Sequence, residues 1–94
     1  MEAGGRNERV LRLKSGGEAF EISWNESCRF IVKPRVIRVP GAPSKAAGMM
    51  ETDGELVSLF YPGGRRNSCA CAVLLRKKKG GYIGLLADEI DGGA

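Results

Sequence analysis

The sequence predicts a mainly β fold of short antiparallel strands arranged as a small barrel or sandwich, with one or two short helical turns. Apolar and polar residues alternate with period two over several short runs, the pattern of half-buried strands. The 14 glycines of this 94-residue chain fall mostly in pairs such as Gly16-Gly17, Gly63-Gly64 and Gly80-Gly81, which punctuate short elements. Aromatic residues are few, so the core is built mainly from Val, Leu, Ile, Met and Ala.

Residues 1–8 are expected to be a loose leader, and 9–94 a single β domain. Arg9 to Lys14 alternates, with Leu11 and Leu13 on one face. Ser15-Gly16-Gly17 turns the chain. Glu18 to Trp24 alternates again, with Phe20, Ile22 and Trp24 inward, which makes a hairpin. Asn25 is an N-cap candidate for a short helical segment through Phe30. Pro34 closes that segment, because the residue before a proline avoids the helical region.

Val36-Ile37-Arg38-Val39 predicts a short strand, followed by the extended connector Pro40-Gly41-Ala42-Pro43. Ala46–Glu51 and Leu56–Tyr61 flank Thr52-Asp53-Gly54-Glu55, and Asp-Gly between apolar runs is a strong hairpin signal. A third hairpin runs from Cys69 to Leu75, through the basic turn Arg76–Gly81, and back from Tyr82 to Ile90. No internal repeat or domain boundary interrupts these elements.

Composition narrows the chemistry. An apolar share of 43% suits one globular domain, near the size at which a single core suffices. The N-terminus lacks an apolar signal region, and no run approaches transmembrane length. Three cysteines cannot make a complete disulfide set. Cys69 and Cys71, placed on one face of a strand, serve as small hydrophobes in a reducing, cytoplasmic setting.

The chain has no histidine and therefore no ordinary general base near neutral pH. No catalytic group, cofactor or metal site is expected. Asp88 and Glu89 point to opposite faces of a strand, so they serve as solubilising charge rather than as cation ligands. The net charge of +4 sits largely in Arg65-Arg66 and Arg76–Lys79. A small basic barrel binding nucleic acid is the rival reading. Phe20 and Trp24 face the core, and Tyr61 and Tyr82 flank turns, so no stacking platform supports it.

Several segments together resemble the CheW-like domains of bacterial chemotaxis. Phe20-Glu21-Ile22 after a Gly-Gly turn, then Arg29-Phe30-Ile31, looks like the opening of that domain. Val36-Ile37-Arg38-Val39-Pro40-Gly41-Ala42-Pro43 is similar to the family's Ile/Val-x-Arg-Val-Pro-x-x-Pro segment. Gly48 and Gly54 stand where the family has the two glycines of Gly-Val-Ile-Asn-Leu-Arg-Gly, and Leu56-Val57-Ser58-Leu59 follows in place of its next strand. Gly84-Leu85-Leu86-Ala87-Asp88-Glu89-Ile90 resembles a later signature strand. The likeness covers roughly residues 9–90. Departures are Asp53 in place of the motif's arginine, Ser58 in place of its proline, and a short loop at 62–68.

The resemblance implies two small SH3-like barrels around a shared core and a non-enzymatic adaptor. Its partners would be a chemoreceptor's cytoplasmic tip and the regulatory domain of a histidine kinase. Carried over position by position, the partner-contacting candidates are Ser27, Arg29, Asp53 and Leu56. Asp53 is equally a good turn residue, Arg29 a solvated charge and Leu56 a core residue. If the surface contacts a receptor, Asp53→Arg is expected to strengthen binding. The chain also stops before the strands that close the family's second barrel, so a rearranged smaller barrel or an edge-to-edge homodimer is expected. A degenerate module without a partner is the remaining alternative.

Overall fold

A computed structural model describes residues 9–24, 28–43 and 45–91; of Arg9 and Trp24 it describes the backbone alone. Eight strands follow in order: β1 (Arg9–Ser15), β2 (Glu18–Trp24), β3 (Arg29–Val32), β4 (Ala46–Thr52), β5 (Glu55–Phe60), β6 (Cys71–Arg76), β7 (Tyr82–Ala87) and β8 (Glu89–Asp91). They form a three-stranded sheet of order β2-β1-β8 and a five-stranded sheet of order β3-β6-β7-β5-β4. The mainly β expectation holds. Neither sheet closes on itself into a barrel.

Both short turns behave as their residues require. Ser15↔Glu18 and Thr52↔Glu55 are the last pairs before two-residue loops. Gly16-Gly17 and Asp53-Gly54 all take positive φ in those loops, the geometry that matches the right-handed twist of a hairpin. One ladder departs from the antiparallel expectation: β5 pairs parallel with β7, through Ser58↔Ile83, Leu59↔Gly84 and Phe60↔Leu85. The chain leaves β5, forms β6 one position away, and returns β7 into the gap between them.

The five-stranded sheet is buried on both faces. On one, Val57, Leu59, Ala72, Leu74 and Leu86 pack with Ala47, Met50 and Tyr61. On the other, Cys71, Val73 and Ala87 meet Leu11 and Leu13 of β1, with Phe20 and Ile22 of β2 and Ile90 of β8 against them. This explains why Cys71-Ala72-Val73-Leu74 is a continuous apolar run rather than an alternating one. Each fully buried leucine contributes about 1.5–3 kcal/mol relative to exposure. Gly84 lies between Leu74 and Leu59 in the cross-strand row, and a Cβ there would stand 2.5 Å from Leu59 Cδ2 and 3.0 Å from Leu74 Cδ2.

Several expectations are corrected. Arg29 and Phe30 are not helical: with Ile31 and Val32 they form β3, paired antiparallel with β6. The β-branched and aromatic side chains gain more from that ladder than from one helical turn. Asn25 and Ser27 lie outside the described residues. The only helical turn among those described is the 3-10 turn Pro62–Gly64. Val36–Val39 is an extended connector touching β4 through a single bridge, in which Ile37 and Met49 exchange backbone hydrogen bonds of 2.7 and 2.8 Å. Gly48 permits this approach, since a Cβ there would lie 2.3 Å from the Ile37 carbonyl oxygen.

The cysteines do not share a face. Cys69 has φ of 58° ahead of β6 and packs toward the Leu59 core, whereas Cys71 is buried in the Leu13 core. Tyr82–Ile90 is not one strand either. It breaks at Asp88, so that β7 is an interior strand of the large sheet and β8 an edge of the small one. No helix among the described residues is long and apolar enough to cross a membrane.

Candidate protein interaction surface

Arg29 and Asp53 come from opposite sides of the large sheet: β3 is one edge strand, and Asp53 caps the hairpin formed by the other edge strand and its neighbour. The sheet curls far enough for the Arg29 guanidinium to donate to the Asp53 carboxylate as a direct ion pair. Register places the Arg29 side chain on the face of Leu74, because Arg29↔Leu74 is a cross-strand pair. Tyr82 and Arg76, paired across β6 and β7, lie on that same face. The Arg29 guanidinium carbon is 6.0 Å from the Tyr82 ring centroid and that of Arg76 is 5.7 Å away. Two cations thus flank one half-buried aromatic ring at the rim of the Leu59 core, within the range of cation–π attraction.

The electrostatics follow from that arrangement. The hydrogen bond and charge of Asp53 hold the Arg29 pKa above its already high ordinary value. Both partners are well exposed, with side-chain exposures of 42% and 68%, so water and salt screen the pair. Leu56, three residues beyond Asp53 on β5, is 64% exposed and is not a core residue. The structure therefore joins Arg29 to Asp53, whereas Leu56, next to inward-facing Val57, points to the opposite face of the sheet from the Arg29 side chain. Ser27 lies outside the described residues.

Sequence reasoning missed Tyr82 and Arg76 as members of this surface. The signal was their position as the last and first strand residues around Lys77–Gly81, which makes them cross-strand neighbours whenever that hairpin forms. It also missed the polar junction beneath. Asn67 Nδ2 donates to the buried Ser15 hydroxyl at 2.7 Å and to the Leu86 carbonyl at 2.8 Å, while its Oδ1 accepts from Cys69 N–H at 2.8 Å. The Asp88 carboxylate accepts from the N–H groups of Gly16 and Ser68 at 2.9 and 2.5 Å. These bonds hold its pKa below the ordinary carboxyl value, the Ser68 bond contributing most. Asp88 is a structural anchor at a strand break rather than solubilising charge. Glu89 instead approaches Lys14 at 3.9 Å.

Among the described residues no group of three or more His, Cys, Asp or Glu is placed to hold a metal ion. What the surface can do chemically is recognition. It presents a paired charge and a second guanidinium on an aromatic ring, with exposed Leu56 on the other face of the hairpin. Comparison with models of protein families finds no match for this chain, and comparison with curated proteins finds none either. The functional reading rests on the chain's own residues.

Proposed function

We propose that the protein is a non-enzymatic CheW-like adaptor that bridges a chemoreceptor tip and a histidine kinase regulatory domain in the cytoplasm. The observation that carries this reading is the meeting of Arg29 with Asp53. Two segments that resemble separate family motifs, one ahead of the Pro40–Pro43 connector and one after it, converge on one exposed surface. The reversed charge at position 53 is answered by Arg29, so the site is kept as a matched pair. Adaptors of this kind work by buried area and shape, and exposed Leu56 offers an apolar anchor on the opposite face of the same hairpin.

The test is retention of purified receptor cytoplasmic fragments and kinase regulatory domain on the immobilised protein. Retention should survive raised salt and weaken for Leu56→Glu. Absence of both partners at low salt rejects the adaptor. Capture of RNA or single-stranded DNA that collapses steeply with salt would favour the basic loops Arg65-Arg66 and Lys77–Lys79 as the working surface.

A further inference from the structure

We propose that the outer edge of β3 is a docking site for an extended segment of another protein, apolar at alternate positions and flanked by carboxylates. The site shares Arg29 with the Arg29–Asp53 surface but stands whether or not the adaptor reading holds. No described strand pairs with β3 on the side away from β6. The Lys33 N–H donates to the Ala70 carbonyl at 2.9 Å, which fixes the alternation of the ladder. Arg29, Ile31 and Lys33 direct their backbone groups to β6, so those of Phe30 and Val32 point outward.

The same two residues are apolar and open. Phe30 is 49% exposed and Val32 64%, on the face opposite the Arg29 side chain. Two outward N–H and two outward C=O groups beside two exposed apolar side chains are what strand addition uses. The main chain supplies affinity and the alternate side chains supply selectivity. β3 is only four residues long and is followed by Lys33-Pro34, which limits the added strand to a short contact.

Charge selects the occupant. From Cys28 to Met50 the chain has five cations, Arg29, Lys33, Arg35, Arg38 and Lys45, and no carboxylate. Antiparallel self-pairing centred on Ile31 would set Arg29 of each copy against Lys33 of the other, a like-charge arrangement that opposes a β3-to-β3 dimer. A strand with acidic flanks meets Lys33 and Arg35 at one end and, at the other, Arg29, which already holds Asp53. Pairing needs no side-chain rearrangement in β3, since the outward groups are already extended.

The experiment is a nuclear magnetic resonance titration of the whole protein with a capped peptide, Asp-Ile-Thr-Val-Ser-Ile-Asp, and with its counterpart carrying lysine at both ends. The Phe30 and Val32 amides should exchange freely in the unbound protein and become protected with the acidic peptide. That peptide should bind roughly tenfold tighter or more than the lysine one at low salt, with the ratio shrinking as salt rises. Val32→Pro removes an outward N–H that β6 does not use, a position where an edge strand tolerates proline, and should abolish binding. Should that variant fail to fold, N-methylation of alternate peptide residues serves instead: one register should abolish binding and the other leave it intact. Equal affinity for both peptides overturns the proposal, as does indifference to N-methylation or no binding at millimolar concentration. Protected Phe30 and Val32 amides in the free monomer would mean that the chain's own residues cover the edge. Protection that appears only with self-association would mean that a second copy does. Either result also overturns it.

Discussion

The Asp88 carboxylate accepts the Gly16 backbone N–H at 2.9 Å across 72 positions of sequence, and this bond ties the break between the two sheets to the first hairpin turn. The Asp88 N–H in turn donates to the Lys14 carbonyl at 2.7 Å, and the second carboxylate oxygen holds Ser68. One side chain therefore fixes the place where the last stretch of chain leaves the large sheet and joins β1. Donors in turns and loops lack a ladder partner, and here one carboxylate takes two of them, from the β1–β2 turn and from the loop before β6.

Asp88→Asn should lower stability by about 1–3 kcal/mol, the range for hydrogen bonds to a charged group, read from the urea midpoint near neutral pH. The pH dependence has a defined sign. The folded-state pKa of Asp88 is depressed, so its contribution is complete above the ordinary carboxyl value of about 3.9 and is lost as pH falls through the lower folded value. The midpoint of the Asn variant should consequently fall less than that of the wild type on acidification below about pH 4. Parallel curves for the two proteins would remove this role for Asp88.

Asp53→Arg alone should not behave as the resemblance implied. It sets a second guanidinium against Arg29 and removes the ion pair, so the urea midpoint should drop at low salt and recover partly at high salt. The exchanged variant Arg29→Asp/Asp53→Arg should regain most of the loss. Equal midpoints for wild type and single variant at low salt would show that the pair contributes nothing measurable.

Gly48→Ala should destabilise more than a surface glycine change such as Gly80→Ala. The new Cβ meets the Ile37 carbonyl oxygen at 2.3 Å, and φ at Gly48 is 149°. Relief requires parting the Ile37–Met49 bridge, at about 1–3 kcal/mol. Thermal melts of the two variants side by side test the ranking. At Gly80 nothing lies within 4 Å of an added Cβ, so only its φ of 100° penalises alanine.

Cys69 should react with iodoacetamide faster than Cys71 in the folded protein, by roughly tenfold or more when mapped by mass spectrometry. Cys71 is buried and its thiol pKa is pushed up, first by burial and then by the nearby charges of Asp88 and Glu89. Urea at unfolding concentration should bring the two rates together. A Cys71 that alkylates as fast as Cys69 in the native protein would contradict its place in the Leu13 core.

Local residue pattern alone sets the β class and the two tight hairpins. Period-two alternation in Arg9–Lys14 and Glu18–Trp24, with Gly16-Gly17 between, and Asp53-Gly54 between apolar runs, depend on local sterics that neighbours do not change. The contact candidates Ser27, Arg29, Asp53 and Leu56 came from the resemblance rather than from residue patterning. Long-range packing sets that Arg29 lies on a strand, that it meets Asp53, and that Tyr82–Ile90 divides at Asp88. A run such as Arg29-Phe30-Ile31-Val32 is too short for periodicity to choose between a helical turn and a strand, and pairing with Ala72 and Val73 makes the choice. The parallel β5–β7 ladder and the reach of Asp88 to Gly16 depend on how non-local segments are ordered within a sheet. No residue pattern within one strand encodes that order, because the energy that sets it comes from burying Leu59, Leu74 and Leu86 on one face and Leu13 and Val73 on the other.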